Sequence, residues 1–394
     1  MSSSPIPTVL TTLPPLDPNV VVDLRRYLAA VPDPRRRRGV RHSITTVLTL
    51  AAVAVAAGAR SLAAIAEWAA DLAQPVLAGL GVRHDPGSGR HRPPTESTLR
   101  RVLARVDGDH LDAVLGAWVR RAGHHIAEPA SDQPVVIAVD GKTLRGTVPR
   151  TGGAGVHLLG AFTHRTGTVV AQRLVPIGTS EIAWLPALLD PVPLAGATIT
   201  ADALHTTRAH AEHLTDHGAH YVFTVKANQH RLFARLKYQT WPETACHSST
   251  DRGHGRTEHR TLTVLPAPTD LGFPAAAQIA RIIRHRTDNA TGKTTVETGY
   301  VVTSLTAEHA DPARVADLLR GHWQIENRLH WVRDVTYRED GSRVRTGHAP
   351  RVMASLRNLA ISALRLAGHT SIAQALRHMA RDSTRPLHLL GITV

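Results

Sequence analysis

The chain has 394 residues, a single cysteine and a formal charge of +14, with 46 Lys and Arg against 32 Asp and Glu. That length allows two or three domains with a substantial core, and the lone thiol, Cys246, excludes an intrachain disulfide framework and cysteine-clustered zinc sites. The basic excess favours a polyanionic partner without choosing among DNA, RNA and an acidic membrane.

The opening MSSSPIPTVLTTLPPLDP is rich in Ser, Thr and Pro and lacks the features of a secretory signal, so residues 1–20 read as a disordered tail and the protein as cytoplasmic. From 21 to 128 the pattern is helical. VVDLRRYLAAV makes a short amphipathic helix, and VPDPRRRRGVRH is a basic loop carrying Arg35, Arg36, Arg37 and Arg38. Those four arginines are expected to touch phosphates; a solvated loop is the alternative. ITTVLTLAAVAVAAGA is shorter than the roughly 20 residues needed to cross a bilayer. It reads as a buried helix with Ser43 as N-cap, and no membrane partner is expected. SLAAIAEWAADLAQPVLAGL continues the helical pattern, HDPGSGRHRPP is a loop, and Thr95 is the N-cap of a further one or two helices. TESTLRRVLARV suggests a helix-turn-helix or ordinary helix packing.

After the linker EPASDQP the period changes to that of strands. VVIAV, VHLLGAFTH and TVVAQRLVPI are strands, the last two joined at Arg165-Thr166-Gly167. SEIAWLPALLD is a helix, ATITA a strand, TTRAHAEHLTDHG a helix and HYVFTVK a strand. An order β-β-β-α-β-α-β, with Asp ending the first and fourth strands, is the ribonuclease-H-like plan. The expected fold class is therefore α/β, with this catalytic core over 134–370 and an all-helical domain over 21–128. Residues 229–305 read as a β-rich insertion without a strong helix. PARVADLLRGHW runs into IENRLHWVRDV, PRVMASLRNLAISALRLAG is a last helix, and 371–394 is a tail.

Three acidic residues stand out in this basic chain: Asp140 in VVIAVDGKTLRG, Asp202 in GATITADALHTTRAH, and Glu326 in LLRGHWQIENRLHWVRDV. A fold that gathers them makes a site for two Mg²⁺ ions about 3.5–4 Å apart on a phosphodiester, with Mn²⁺ able to substitute. With the chain's charge, this points to metal-dependent cutting or joining of nucleic acid. At 3.6 residues per turn, Leu319, His322, Trp323, Glu326, His330 and Arg333 form one helical stripe. That is a poor core face and a good phosphate face. His322 and Arg333 are expected to contact DNA, and Trp323 or Trp331 to stack on an unpaired base, unless the tryptophans pack inside. Lys142 and Arg145 follow Asp140, close enough to meet substrate, and Lys226 and Asn228 follow a strand near Asp202, where they are expected to touch the DNA backbone, with an ordinary polar loop as the alternative. The chain has no Gly-rich nucleotide loop, so no nucleotide cofactor is expected.

VVIAVDGKTLRGT, TSEIAWLPALL, TADALHTTRAHAEHL with GAHYVFTVKANQ, and HWQIENRLHWVRDVTYREDGSRVRTGHAP resemble the DDE transposases of bacterial insertion sequences. The similar group is that of the H-repeat-associated proteins, of the ISAs type. DPRRRRGVRHSITTVLTLAAVAVAAGARSLAAIAEWA and PPTESTLRRVLARVD resemble that family's N-terminal associated domain, so the likeness covers about 21–367. It implies that Asp140, Asp202 and Glu326 are the DDE triad. It also implies double-stranded DNA as partner, both transposon ends and target, with a homodimer on paired ends. The implied activity is Mg²⁺-dependent cleavage at terminal inverted repeats and joining by direct attack of the 3′-hydroxyl. The superfamily's Tyr, Arg and Lys signature positions map to Leu319, His322 and Arg333, a departure from the pattern, and a Gln usual near Thr207 is missing. Two other readings stand beside this one: an immobile DNA-binding or repressor-like relic, and a stand-alone ribonuclease-H-like nuclease.

Overall fold

The computed structural model describes residues 22–36, 38, 40–126, 134–149, 151–253 and 255–394. The expected N-terminal tail, nearly all of the EPASDQP linker and Arg37 lie outside them. The helices are α1 (Leu24–Leu28), α2 (Ile44–Ala56), α3 (Leu62–Ala70), α4 (Gln74–Gly79), α5 (Glu96–Leu103), α6 (Gly108–Ile126), α7 (Leu185–Leu189), α8 (Arg208–Asp216), α9 (His230–Lys237), α10 (Pro312–His322), α11 (Ala349–Leu366), α12 (Ile372–Met379) and α13 (Thr384–Leu389). The strands are β1 (His84–Asp85), β2 (Arg90–His91), β3 (Val136–Thr143), β4 (His157–Thr163), β5 (Val169–Val175), β6 (Thr198–Ala201), β7 (His220–Val225), β8 (His247–Gly253), β9 (Arg256–Pro266), β10 (Gln278–Asp288) and β11 (Thr294–Thr303). These residues form two compact units.

The first unit comprises described residues of 22–126, 141–180 and 326–394. Its centre is α2, in which every residue from Val47 to Ala56 is fully buried. A helix apolar on all faces must be enclosed, and α1, α3, α5, α11 and α13 surround it. Ser43 caps α2, its hydroxyl accepting from the Thr46 N–H at 3.0 Å, and Thr95 caps α5 in the same way. The β4–β5 hairpin turns at Gly167, which takes φ +69°. Asp112 of α6 is satisfied inside the core by the Arg351 guanidinium at 2.8 Å, by Ser355, and by Gln172 at 3.0 Å. The segment 371–394 is not a tail. It folds as α12 and α13, whose Leu387 is fully buried, as are Leu390 and Ile392 beyond, and the Leu390 carbonyl accepts from the Leu24 N–H. The apolar spacing of these short helices reads as tail until α1 and α2 supply a surface to cover.

The second unit comprises 134–140 and the described residues of 181–325. It holds a large mixed sheet in the order β3-β6-β7-β11-β10-β9-β8. β3, β6 and β7 are parallel, and β11, β10, β9 and β8 follow as antiparallel neighbours. The β-rich stretch after 229 is therefore no separate body: β11 pairs directly with β7, from Tyr300↔Val225 to Thr303↔Val222. It also contains a helix, α9, which sequence reading missed because its apolar Leu232 and Leu236 lie among basic residues. Val136, Val222, Ala280 and Val301 of the sheet pack with Val315 and Leu318 of α10.

Candidate active site

In the second unit β3 and β6 run parallel in a register from Val136↔Thr198 to Val139↔Ala201. The next residue on each strand is an aspartate, Asp140 and Asp202. Adjacent strands lie about 4.8 Å apart, so the two carboxylates are neighbours: Asp202 directly follows the C-terminal end of β6, where open α/β sheets gather ligands, whereas β3 runs on past Asp140 to Thr143 instead of ending at it as the sequence suggests. The apolar residues before them are buried, while Asp140 is partly buried and Asp202 exposed. One Asp202 carboxylate oxygen accepts from the Leu204 N–H at 2.9 Å, opening a tight turn over Ala203–His205. That turn is pinned by the Thr206 hydroxyl donating to the Thr224 carbonyl at 2.6 Å and by the Asn228 amide donating to the Ala203 carbonyl at 2.7 Å. Asn228 thus props the Asp202 loop, whereas Lys226 points to solvent. His205, buried behind Asp202, faces Glu181 at 3.4 Å, a pairing that sequence spacing does not reveal.

His322 ends α10 with Nδ1 3.1 Å from the Thr200 hydroxyl on β6. Burial pushes its pKa down to about 4, against the opposing pull of Asp202. At neutral pH the ring is uncharged and cannot replace the arginine of the signature as a cation. Trp323 is 45 % exposed, and the Arg284 guanidinium lies 4.9 Å from its ring centre. Arg320 of α10 and Arg260 of β9 both bind Asp251 of β8, tying the helix to the outer strands.

In the first unit Glu326 is exposed and begins a π-helical stretch, Glu326–His330, followed by a second, Val332–Thr336. π winding closes i→i+5 bonds, so the stripe drawn at 3.6 residues per turn does not hold beyond Glu326. Arg333 is the clearest consequence. It is 2 % exposed, with Nη2 2.7 Å from Glu339, which also receives Arg357 at 2.8 Å. Burial raises the Glu339 carboxyl, but the two guanidiniums outweigh it and hold the group below its usual range. Arg333 is a structural cation here, not a solvent-facing one. Trp331 is 57 % exposed, so neither tryptophan of this segment is a core residue. Lys142 is engaged by Asp334 at 2.6 Å and Arg145 lies 3.8 Å from Asp340 while largely exposed.

Of the basic loop, Arg35 is held by Asp33 at 2.7 Å and by the His42 carbonyl, while Arg36 and Arg38 are exposed. Asp140 and Asp202 are brought side by side within one unit, and Glu326 is fixed in the other. Among the described residues no group of three or more His, Cys, Asp or Glu is arranged to hold a metal ion. The donor chemistry at the strand ends is nonetheless that of hard carboxylate oxygens, which suits Mg²⁺. No helix among the described residues is long and apolar enough to cross a membrane.

The sequence profile described as "Transposase DDE domain" matches residues 131–363, and that described as "DDE_Tnp_1-associated" matches 25–119. The chain is 28 % identical over 367 residues to "Putative transposase YncI" of Escherichia coli O157:H7, covering 88 % of each chain. It is 28 % identical over 357 residues to "H repeat-associated putative transposase YhhI" of Escherichia coli K12, covering 86 % of this chain and 90 % of that one. A solved piggyBac transposase synaptic complex with hairpin DNA aligns over 94 % of this chain and 77 % of its own, at 10 % identity and a TM-score of 0.40.

Proposed function

Because the chain belongs to the transposase DDE-domain family, we propose that it binds the terminal inverted repeats of an insertion sequence and catalyses Mg²⁺-dependent strand cleavage and strand transfer. In this reading Asp140, Asp202 and Glu326 are the metal-holding triad, β3 to β7 with their helices are a ribonuclease-H-like core, and the helical segment 21–128 binds DNA. The protein works as a homodimer on paired ends. The observation that carries the proposal is the pair of aspartates that directly follow the paired residues Val139 and Ala201 of adjacent parallel strands.

When bound, the ions supply activation of the attacking oxygen and stabilisation of the leaving one. The chain's own part is rigidity and placement. Asp140 and Asp202 project from paired strands, and Leu204 N–H orients the Asp202 carboxylate. His322, neutral beside β6, adds no positive charge to compete for those carboxylates. Lys226, which is exposed just beyond β7, meets a phosphate near the Asp202 loop in this reading.

Asp140→Asn, Asp202→Asn and Glu326→Gln should each abolish cleavage and joining of terminal-repeat DNA while end-binding persists, since each loses a charge with little change of shape. Ca²⁺ should support binding without chemistry. Cleavage at full rate in EDTA, or by all three variants, overturns the proposal. Binding without cleavage by the unmodified chain would instead mark an immobile relic, and cutting without joining a nuclease.

A further inference from the structure

Six arginines line one cleft of about 850 Å³ in the first unit: Arg35, Arg41, Arg83, Arg92, Arg101 and Arg105. Among the described residues that line it, Asp85 is the single carboxylate. Like charges at this density repel, and the arrangement is costly unless an anion enters. Several guanidiniums are already oriented. Arg35 is held by Asp33, Arg92 by Asp85 at 3.0 Å, and Arg105 donates to the Pro34 carbonyl at 3.0 Å. Arg41 and Arg83 are exposed, and their side chains have no hydrogen-bond or ion-pair partner among the described residues. His42 registers the same field. Its pKa lies below the ordinary value, first through burial and then through Arg35, Arg83 and Arg41.

The shape and lining narrow the ligand. The cleft is far larger than one phosphate needs, and at its edge Thr95 and Thr98 mark the N-terminus of α5, an end that favours anions. No Phe, Tyr or Trp among the described residues lines it, so it lacks the stacking platform on which single strands lay their bases. Guanidinium forks without stacking surfaces suit consecutive phosphates of a duplex.

We propose that this arginine cleft is a DNA-contact region in its own right, one that grips the phosphate backbone of a duplex without reading its sequence. The inference rests on the reading of DNA as substrate and goes beyond the Arg35–Arg38 run, since its free cations are Arg41 and Arg83. It predicts that the N-terminal helices add salt-sensitive affinity separable from the chemistry of Asp140 and Asp202.

The test is duplex binding by the full chain across a salt series, without divalent ions, measured by fluorescence anisotropy. The variants are Arg41→Ala/Arg83→Ala, Arg41→Lys/Arg83→Lys, and Arg377→Ala/Arg381→Ala on and just beyond α12 as a control. The first pair should flatten the slope of log K against log salt by about 1.8, at about 0.9 per phosphate contact. The lysine pair should keep the slope, and the control should match the unmodified chain. Melting curves of all variants should coincide, because the substituted side chains are exposed. An unchanged slope in the first pair, with normal DNA binding by the parent, overturns the cleft and leaves the transposase reading intact. An equal loss on a single-stranded oligonucleotide overturns the duplex assignment. No DNA binding by the parent chain at all would sink the functional reading itself.

Discussion

Arg333 shows how burial decides a role that residue type leaves open. A cation seven residues after the candidate glutamate invites a phosphate-clamp reading, but its guanidinium is spent on Glu339 beside Arg357, all three buried. Arg333→Ala should therefore cost about 3–5 kcal/mol of stability, the usual penalty for breaking a buried pair from one side. Urea titration measures that loss; a variant of normal stability but slow cleavage would restore the clamp. His322 makes a pH prediction. Its folded pKa of about 4 lies below the ordinary value of about 6.5, so between those limits the unfolded chain holds the extra proton. This group's stabilising contribution is full above about pH 6.5 and declines toward pH 4. His322→Gln should show a smaller decline in unfolding free energy over that window; an identical decline would mean the ring is charged in the folded state. Trp323, half out in solvent against Arg284, should tolerate Ala with a loss of no more than about 1 kcal/mol. If it stacks on an extruded base, cleavage by Trp323→Ala should recover on ends that are already unpaired.

Helix α6 carries a sign reversal at Gly116. In a helix interior Gly→Ala ordinarily stabilises by about 1 kcal/mol. Here a Cβ on Gly116 would stand 2.6 Å from the Val170 carbonyl oxygen of β5, and backbone cannot swing aside as a flexible side chain can. Gly116→Ala should lower the melting temperature, and a stabilised variant would show that α6 and β5 are not held this close. The π-helical stretch from Glu326 is a second case of local structure answering to distant contacts. Leu329 is buried, Arg328 donates to the His164 carbonyl at 3.3 Å, and the Tyr337 hydroxyl donates to the Val55 carbonyl at 3.3 Å. Those anchors on the β4–β5 hairpin and α2 set how the segment winds.

At the scale of the whole chain, compactness does not follow the linear order. The N-terminal helices fold with the β4–β5 hairpin and with everything after 326, while 181–325 forms the other unit with the start of β3. The last 24 residues are part of this: Ile372, Leu376, Met379, Leu387, Leu390 and Ile392 are all buried. At about 1.5–3 kcal/mol for each such side chain, their loss approaches the 5–15 kcal/mol net stability typical of a domain. Truncation after residue 370 should leave a chain whose first unit fails to fold, visible as lost helical circular dichroism. A truncated protein with full helix content would return 371–394 to the status of a tail.

The sequence by itself determined what is encoded within a turn or a strand. Apolar runs of four or five residues specified β3, β6 and β7, each needing burial on both faces, and placed an aspartate directly after the run in the first two. Ser43 and Thr95 marked their helix starts because a hydroxyl there meets a free N–H three residues on. The family itself was legible in the motifs around Asp140, Asp202 and Glu326. Tertiary structure alone decided the rest. That Asp140 and Asp202 are neighbours depends on strand register across a gap of sixty-odd residues, which no local period carries. The polar strand β8 exists because β9 offers it a ladder. Arg333 is buried because Glu339 and Arg357 arrive together to neutralise it. The arginine cleft, too, needs residues from 35 to 105 assembled around one space before their shared charge has a meaning.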